Sequence, residues 1–183
     1  VAVTVSPETF RFVEFDAELI RQIASDLSDA LGLAGRDLHV EVDETTPLAR
    51  VRTSIDDGAI TIRVESGAFE DTRRPRQQSE AATRLALGRA LLRVHDRLSG
   101  GFDDAPADAD LTLAQVAAWQ AYCVGRLERL GHPQLQQRWR YDFRNRHGFS
   151  DTADAVFDQL WSSDHLTWAE LDALSRSASS VAT

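Results

Sequence analysis

Between Leu38 and Val64 lie three short runs in which apolar residues recur at every second position, and this alternation constrains the fold more than any other feature of the chain. Leu38, Val40 and Val42 alternate with His39 and Glu41, Ala49, Val51, Thr53 and Ile55 alternate with Arg50 and Arg52, and Ile60, Ile62 and Val64 follow. A set with period two lies on one side of an extended strand, so the pattern predicts three half-buried strands with one apolar and one charged face. The Asp57-Gly58 step directly precedes the third run, and both residues tolerate the positive φ angles of a tight hairpin turn. A three-stranded antiparallel meander is expected.

Helical spacing flanks this region. Asp16 stands at an N-cap position before Leu19, Ile20, Ile23, Ala24, Leu27 and Leu31, and Gly32 supplies a stop. A long helix is predicted over about 79–98. Further apolar stripes follow: Val116, Trp119, Cys123, Leu127 and Leu130 to Gly131, then Leu135, Trp139 and Phe143 to about Gly148. Asp151 with Asp154 is placed to cap a helix carrying Val156, Phe157, Leu160 and Trp161, and Thr167 with Glu170 reads as a capping box before Leu171 and Leu174. The segments 66–79 and 99–110 lack periodicity and read as loops, and the tail 177–183 as frayed. The fold class is therefore α+β: an N-terminal helix, the meander, a long helix and a C-terminal helical layer. At 183 residues one domain is the default, with a possible division into an α/β part at 1–98 and a helical part at 111–178 joined by the loop 99–110.

Composition narrows the function. The net charge is −9 and all 20 basic residues are arginine, so long-range attraction to phosphate backbones or anionic lipid is absent, and neither nucleic acid nor a membrane is the expected partner. The arginine, alanine and aspartate bias suggests a GC-rich bacterial source. One cysteine excludes an internal disulfide and a cysteine-rich zinc site, and the first residues lack the features of a secretory signal, so a cytoplasmic protein is expected. Cys123 falls on an apolar stripe, where its thiolate is disfavoured.

The sequence contains no HExxH, GxSxG, Walker loop, GxGxxG or CxxC. Asp104, Asp108 and Asp110 lack the glycine and distal glutamate of a calcium loop, and the five histidines never recur at ligand spacing, so neither metal nor cofactor is expected. On the long helix, Arg89, Arg93, Asp96 and Arg97 fall on the side expected to meet water. Arg84, Gly88 and His95 form a polar stripe within the opposite, core-facing arc, and Gly88 would let another backbone approach. Arg73, Arg74 and Arg76 precede the helix N-terminus, a place that favours anions. The segment from Arg138 to His147 interleaves arginines with aromatic residues, a composition able to bind phosphates and stack bases, although its wheel buries Trp139 and Phe143 and turns Arg140 and Arg144 to solvent.

The order helix, strand, strand, hairpin, strand, long helix over residues 16–98 resembles the minimal zincin metallopeptidases, which carry HExxH on that last helix. The corresponding stretch here reads Leu87-Gly88-Arg89-Ala90-Leu91, without the metal-binding histidines or the glutamate base. The resemblance thus implies a scaffold without zinc chemistry, and no family residue carries over. The expected function is a non-catalytic protein that binds a partner protein or a small anionic ligand, with Arg84, Gly88, His95, Arg73, Arg74 and Arg76 as candidate contacts. One alternative is a hydrolase using His95 with Arg84 and a carboxylate such as Glu41. The other is a weak nucleic-acid binder acting through Arg138 to Arg146.

Overall fold

The side chain of Asp16 accepts hydrogen bonds from the backbone N–H groups of Glu18 and Leu19 and so starts α1 (Ala17–Ala30). The helix buries Ala17, Ile20, Ile23, Ala24 and Leu27, the stripe set by its spacing, and ends at Leu31 before Gly32 at φ 67°. The computed structural model describes residues 2–179. Of the tail 177–183, Ser177 to Ser179 extend the last helix, and 180–183 lie outside the described residues.

The sheet is mixed, which corrects the expected antiparallel meander. Strands β1 (Val3–Ser6), β2 (Leu38–Asp43), β3 (Val51–Asp56) and β4 (Ala59–Glu65) lie in the order β1-β2-β4-β3. β1 and β4 both run parallel to β2, and β3 alone is antiparallel, paired with β4 at the edge. After β2 the chain passes over one strand position to form β3. The hairpin at Asp57 (φ 49°) and Gly58 (φ 86°) then inserts β4 between β3 and β2. Alternation sets which face a side chain takes; it carries no information on which strand lies alongside, so a meander and this arrangement look alike in the sequence. β1 was not anticipated, because four residues with only two apolar positions give little periodic signal.

The inner face buries Val5, Leu38, Val40, Val42, Ile60, Ile62 and Val64. Segment 66–79 is not an unstructured loop: a 3-10 turn at Ser66–Ala68 precedes a two-stranded hairpin, β5 (Glu70–Asp71) and β6 (Arg74–Gln78). Its strands are polar and mostly exposed, so backbone pairing orders them with no apolar pattern to announce it. α2 (Glu80–Leu98) begins at Ser79, whose hydroxyl accepts the N–H of Ala82.

The chain divides into two compact units, Val1–His95 and Asp96–Thr183, and the division falls inside α2. The second unit contains α3 (Leu113–Arg129), α4 (Gln136–His147), α5 (Asp151–Ser162) and α6 (Trp168–Ser179). Segment 99–110 is a mostly exposed connection with a short 3-10 turn at Asp108–Asp110, anchored to this unit by Phe102, which is buried and stacks on Trp119 at 5.0 Å. Leu135, expected in the core, is 76% exposed as the N-cap of α4, and Ser150 rather than Asp151 caps α5. Thr167 and Glu170 exchange the hydrogen bonds of a capping box before α6. Gly125 on α3 lies so close to α5 that a Cβ there would sit 2.0 Å from the carbonyl oxygen of Trp161. No described helix is long and apolar enough to cross a membrane.

Candidate functional site

The outer face of the sheet carries two neighbouring rows of charged side chains. Pairing aligns Ser6 with Glu41, Glu41 with Arg63 and Arg63 with Arg52 in one row. The next row aligns Asp43 with Glu65, whose N–H donates to the carbonyl of Arg50 at 2.9 Å. The three parallel strands β1, β2 and β4 all contribute from their C-terminal halves, so the rows meet at one end of the sheet. There they line a groove of about 300 Å³, together with the backbone at Val42 and Val64.

Some of these charges are used within the chain and some are not. Arg63 donates from Nε to Glu41 at 2.9 Å. Asp43 accepts from the N–H of Thr45 at 2.9 Å and from its hydroxyl at 2.6 Å through one oxygen, and these bonds hold its carboxyl below the usual range. Glu65 accepts the backbone N–H of Arg50 at 3.2 Å. The guanidiniums of Arg50 and Arg52 make no ion pair or hydrogen bond among the described residues. Arg52 stands directly opposite Arg63, and Asp43 opposite Glu65, so each row holds a like-charged neighbour pair. Such pairs destabilise a sheet unless something of opposite charge lies between them.

The residues singled out from the sequence lie elsewhere. Arg84 reaches Glu80 through Nε and Nη2 at 3.1 and 2.9 Å, an ion pair within one turn of α2. Gly88 is buried and His95 half-buried. At 1.5 Å per residue, Arg84 and His95 are separated by about 16 Å along the helix. Arg73, Arg74 and Arg76 are exposed on the β5–β6 hairpin, where Asp71 accepts the N–H of Arg73 and lies 3.9 Å from Arg74. Arg76, at φ 66°, lines a different groove with Phe12, Glu44 and Glu70. Glu41, the carboxylate named for a hydrolase, is engaged by Arg63.

Compared with protein-family models, curated proteins and solved structures, the chain matches none.

In the helical unit the arginines are largely committed to structure. Arg126 binds Asp96 through two hydrogen bonds of 2.7 Å, and Trp119 donates its indole N–H to the same carboxylate at 2.8 Å. Asp96 is 2% exposed, which corrects its assignment to the solvent side of the helix. Burial by itself disfavours the charge of Arg126. Cys123, the bonds and charge of Asp96, and Tyr122 outweigh it and hold the pKa above the ordinary arginine value. Arg140 and Arg144, expected in solvent, bind carboxylates of α5: Arg144 holds Asp154 at 2.7 and 2.6 Å, and Arg140 holds Asp158. Two cations of the proposed nucleic-acid segment are thus occupied. Among the described residues no group of three or more His, Cys, Asp or Glu is placed to hold a metal ion.

Sequence reasoning turned Arg50, Arg52, Glu41 and His39 to the charged face but did not assemble the groove. Arg63, Asp43 and Glu65 were missed because their significance depends on β4 lying between β2 and β3. The available signal was the position of Arg63 between two inward-facing residues, Ile62 and Val64.

Proposed function

We propose that this chain acts by binding, and that its site is the groove at the C-terminal end of the parallel strands, where it holds a small ligand by an anionic group. One observation carries this reading: the guanidiniums of Arg50 and Arg52 line a concave surface without an acidic partner. A guanidinium presents several donors in a fixed plane and suits a carboxylate or phosphate oxygen pair. A volume of about 300 Å³ is at the small end for ligand sites, which favours a metabolite-sized ligand over a protein segment. The setting proposed is the bacterial cytoplasm, on the arginine-only basic composition. The order α1, β2, β3, β4, α2, interrupted by the β5–β6 hairpin, supports reading the N-terminal unit as a zincin-like scaffold used for binding.

Titration of isotopically labelled protein with succinate, followed by amide NMR, tests the site. Shifts concentrated at Arg50, Arg52 and Arg63, and abolished in the Arg50→Ala/Arg52→Ala double variant with unchanged melting temperature, are expected. Shifts that persist in that variant overturn the reading, as does the absence of shifts with succinate and with a free tripeptide alike.

A further inference from the structure

We infer that the ligand of this groove is a zwitterion, with its carboxylate over the Arg52–Arg63 row and its ammonium over the Asp43–Glu65 row, and that a short peptide with free termini is the class that fits. The inference rests on the groove being the binding site and adds the second half of the ligand.

β2 contributes only carboxylates to the groove, Glu41 and Asp43. The β3 side contributes only guanidiniums, Arg50 and Arg52, and β4 contributes one of each, Arg63 and Glu65. Positive and negative side chains are equal in number, so the groove as a whole exerts no net pull on a simple anion. The charges are nevertheless sorted. The row through Glu41, Arg63 and Arg52 has two guanidiniums against one carboxylate, and the row through Asp43, Glu65 and Arg50 has two carboxylates against one guanidinium. A simple anion gains at the first row and is repelled at the second. Only a ligand carrying both charges relieves both like-charged pairs.

The spacing selects the length. Residues two apart on a strand are separated by about 6.6 Å, and neighbouring strands by about 4.8 Å. The centre of the Arg52–Arg63 pair therefore lies roughly 8 Å from the centre of the Asp43–Glu65 pair at the level of the backbone. An extended chain spans at most about 3.3–3.6 Å per residue, so a dipeptide or tripeptide bridges the two centres, whereas the charges of a single α-amino acid are too close together. Both rows remain charged near neutral pH: Asp43 is held ionised by Thr45, and arginine does not lose its proton.

The probe is the tripeptide Ala-Ala-Ala at pH 7, compared with its N-acetylated and C-amidated forms by amide NMR titration of the full chain, with succinate as the anion control. Ala-Ala-Ala is expected to shift Ser6, Arg52, Arg63, Asp43 and Glu65. Each blocked form should bind about three- to fivefold more weakly, as suits partly exposed ion pairs. Asp43→Asn should weaken the free tripeptide by a similar factor and leave the N-acetylated form unchanged, a crossover that general destabilisation does not produce. If the N-acetylated form binds as well as the free tripeptide, or if succinate binds and the tripeptide does not, the zwitterion inference falls and the anion reading stands. If neither probe binds, both fall.

Discussion

The arginines packed between helices in the second unit and those on the sheet face of the first are used in opposite ways. In the helical unit Arg126, Arg129, Arg140 and Arg144 are each bound to a carboxylate, and Arg126 is buried with its partner. On the sheet face of the N-terminal unit, Arg50 and Arg52 are left unused and Arg63 has a partner on only one side. The same side chain serves as an internal brace in one place and as an open donor in the other. What decides is the neighbourhood: helices packed side by side bring carboxylates of one into reach of the next, whereas a sheet row repeats whatever charge its strands happen to carry. Charge committed inside a unit contributes to stability, and charge left open on a concave face is available to a ligand.

Substitution at Arg126 tests that contrast most severely. Arg126→Ala leaves the Asp96 carboxyl buried without its two guanidinium bonds, and should cost about 3–5 kcal/mol in urea unfolding followed by tryptophan fluorescence. A cost below 1 kcal/mol would show that the pair braces nothing.

An intermediate effect is expected from acid. His147 is buried, stacks on Phe143 at 3.9 Å, and meets the carbonyl of Phe143 at 3.2 Å and the hydroxyl of Ser175 at 2.9 Å. Burial lowers its pKa below the ordinary 6.5, against a smaller opposing effect of the Phe143 carbonyl. The unfolded chain therefore takes up this proton first. Stability from the neutral imidazole is fully present above pH 6.5 and declines as pH falls below 6.5 towards the folded-state pKa. Unfolding free energies measured between pH 7.5 and about 5 should fall in the wild type and fall less in His147→Gln. Parallel curves would remove His147 from the account.

The smallest effect belongs to the sheet face. Arg52→Ala should change unfolding free energy by no more than about 0.5 kcal/mol, since an exposed side chain with no partner is lost, while ligand binding in the groove weakens about three- to fivefold. A large loss of stability would erase the distinction between the two units.

Much of the architecture was legible wherever local physics decides it. The Asp16 cap, the α1 stripe, the positive-φ turn at Asp57-Gly58 and the Thr167–Glu170 box each depend on residues a few positions apart. The misplaced charges have one cause. Asp96 sits on the polar side of its helix by periodicity, and partners distant in sequence, Arg126 thirty residues later and the indole of Trp119, make its burial tolerable. Arg140 and Arg144 read as solvated for the same reason, since their partners lie on the following helix.

The candidate site shows the division most clearly. Alternation determined that Glu41, Arg52 and Arg63 share one face of a sheet, because successive side chains on a strand point to opposite sides. That β4 lies between β2 and β3, bringing Arg63 beside both Glu41 and Arg52 and Asp43 beside Glu65, was decided only by the tertiary pairing. Strand neighbours are chosen by backbone hydrogen bonds and the burial of the inner face, and neither depends on which charges end up side by side on the outer one.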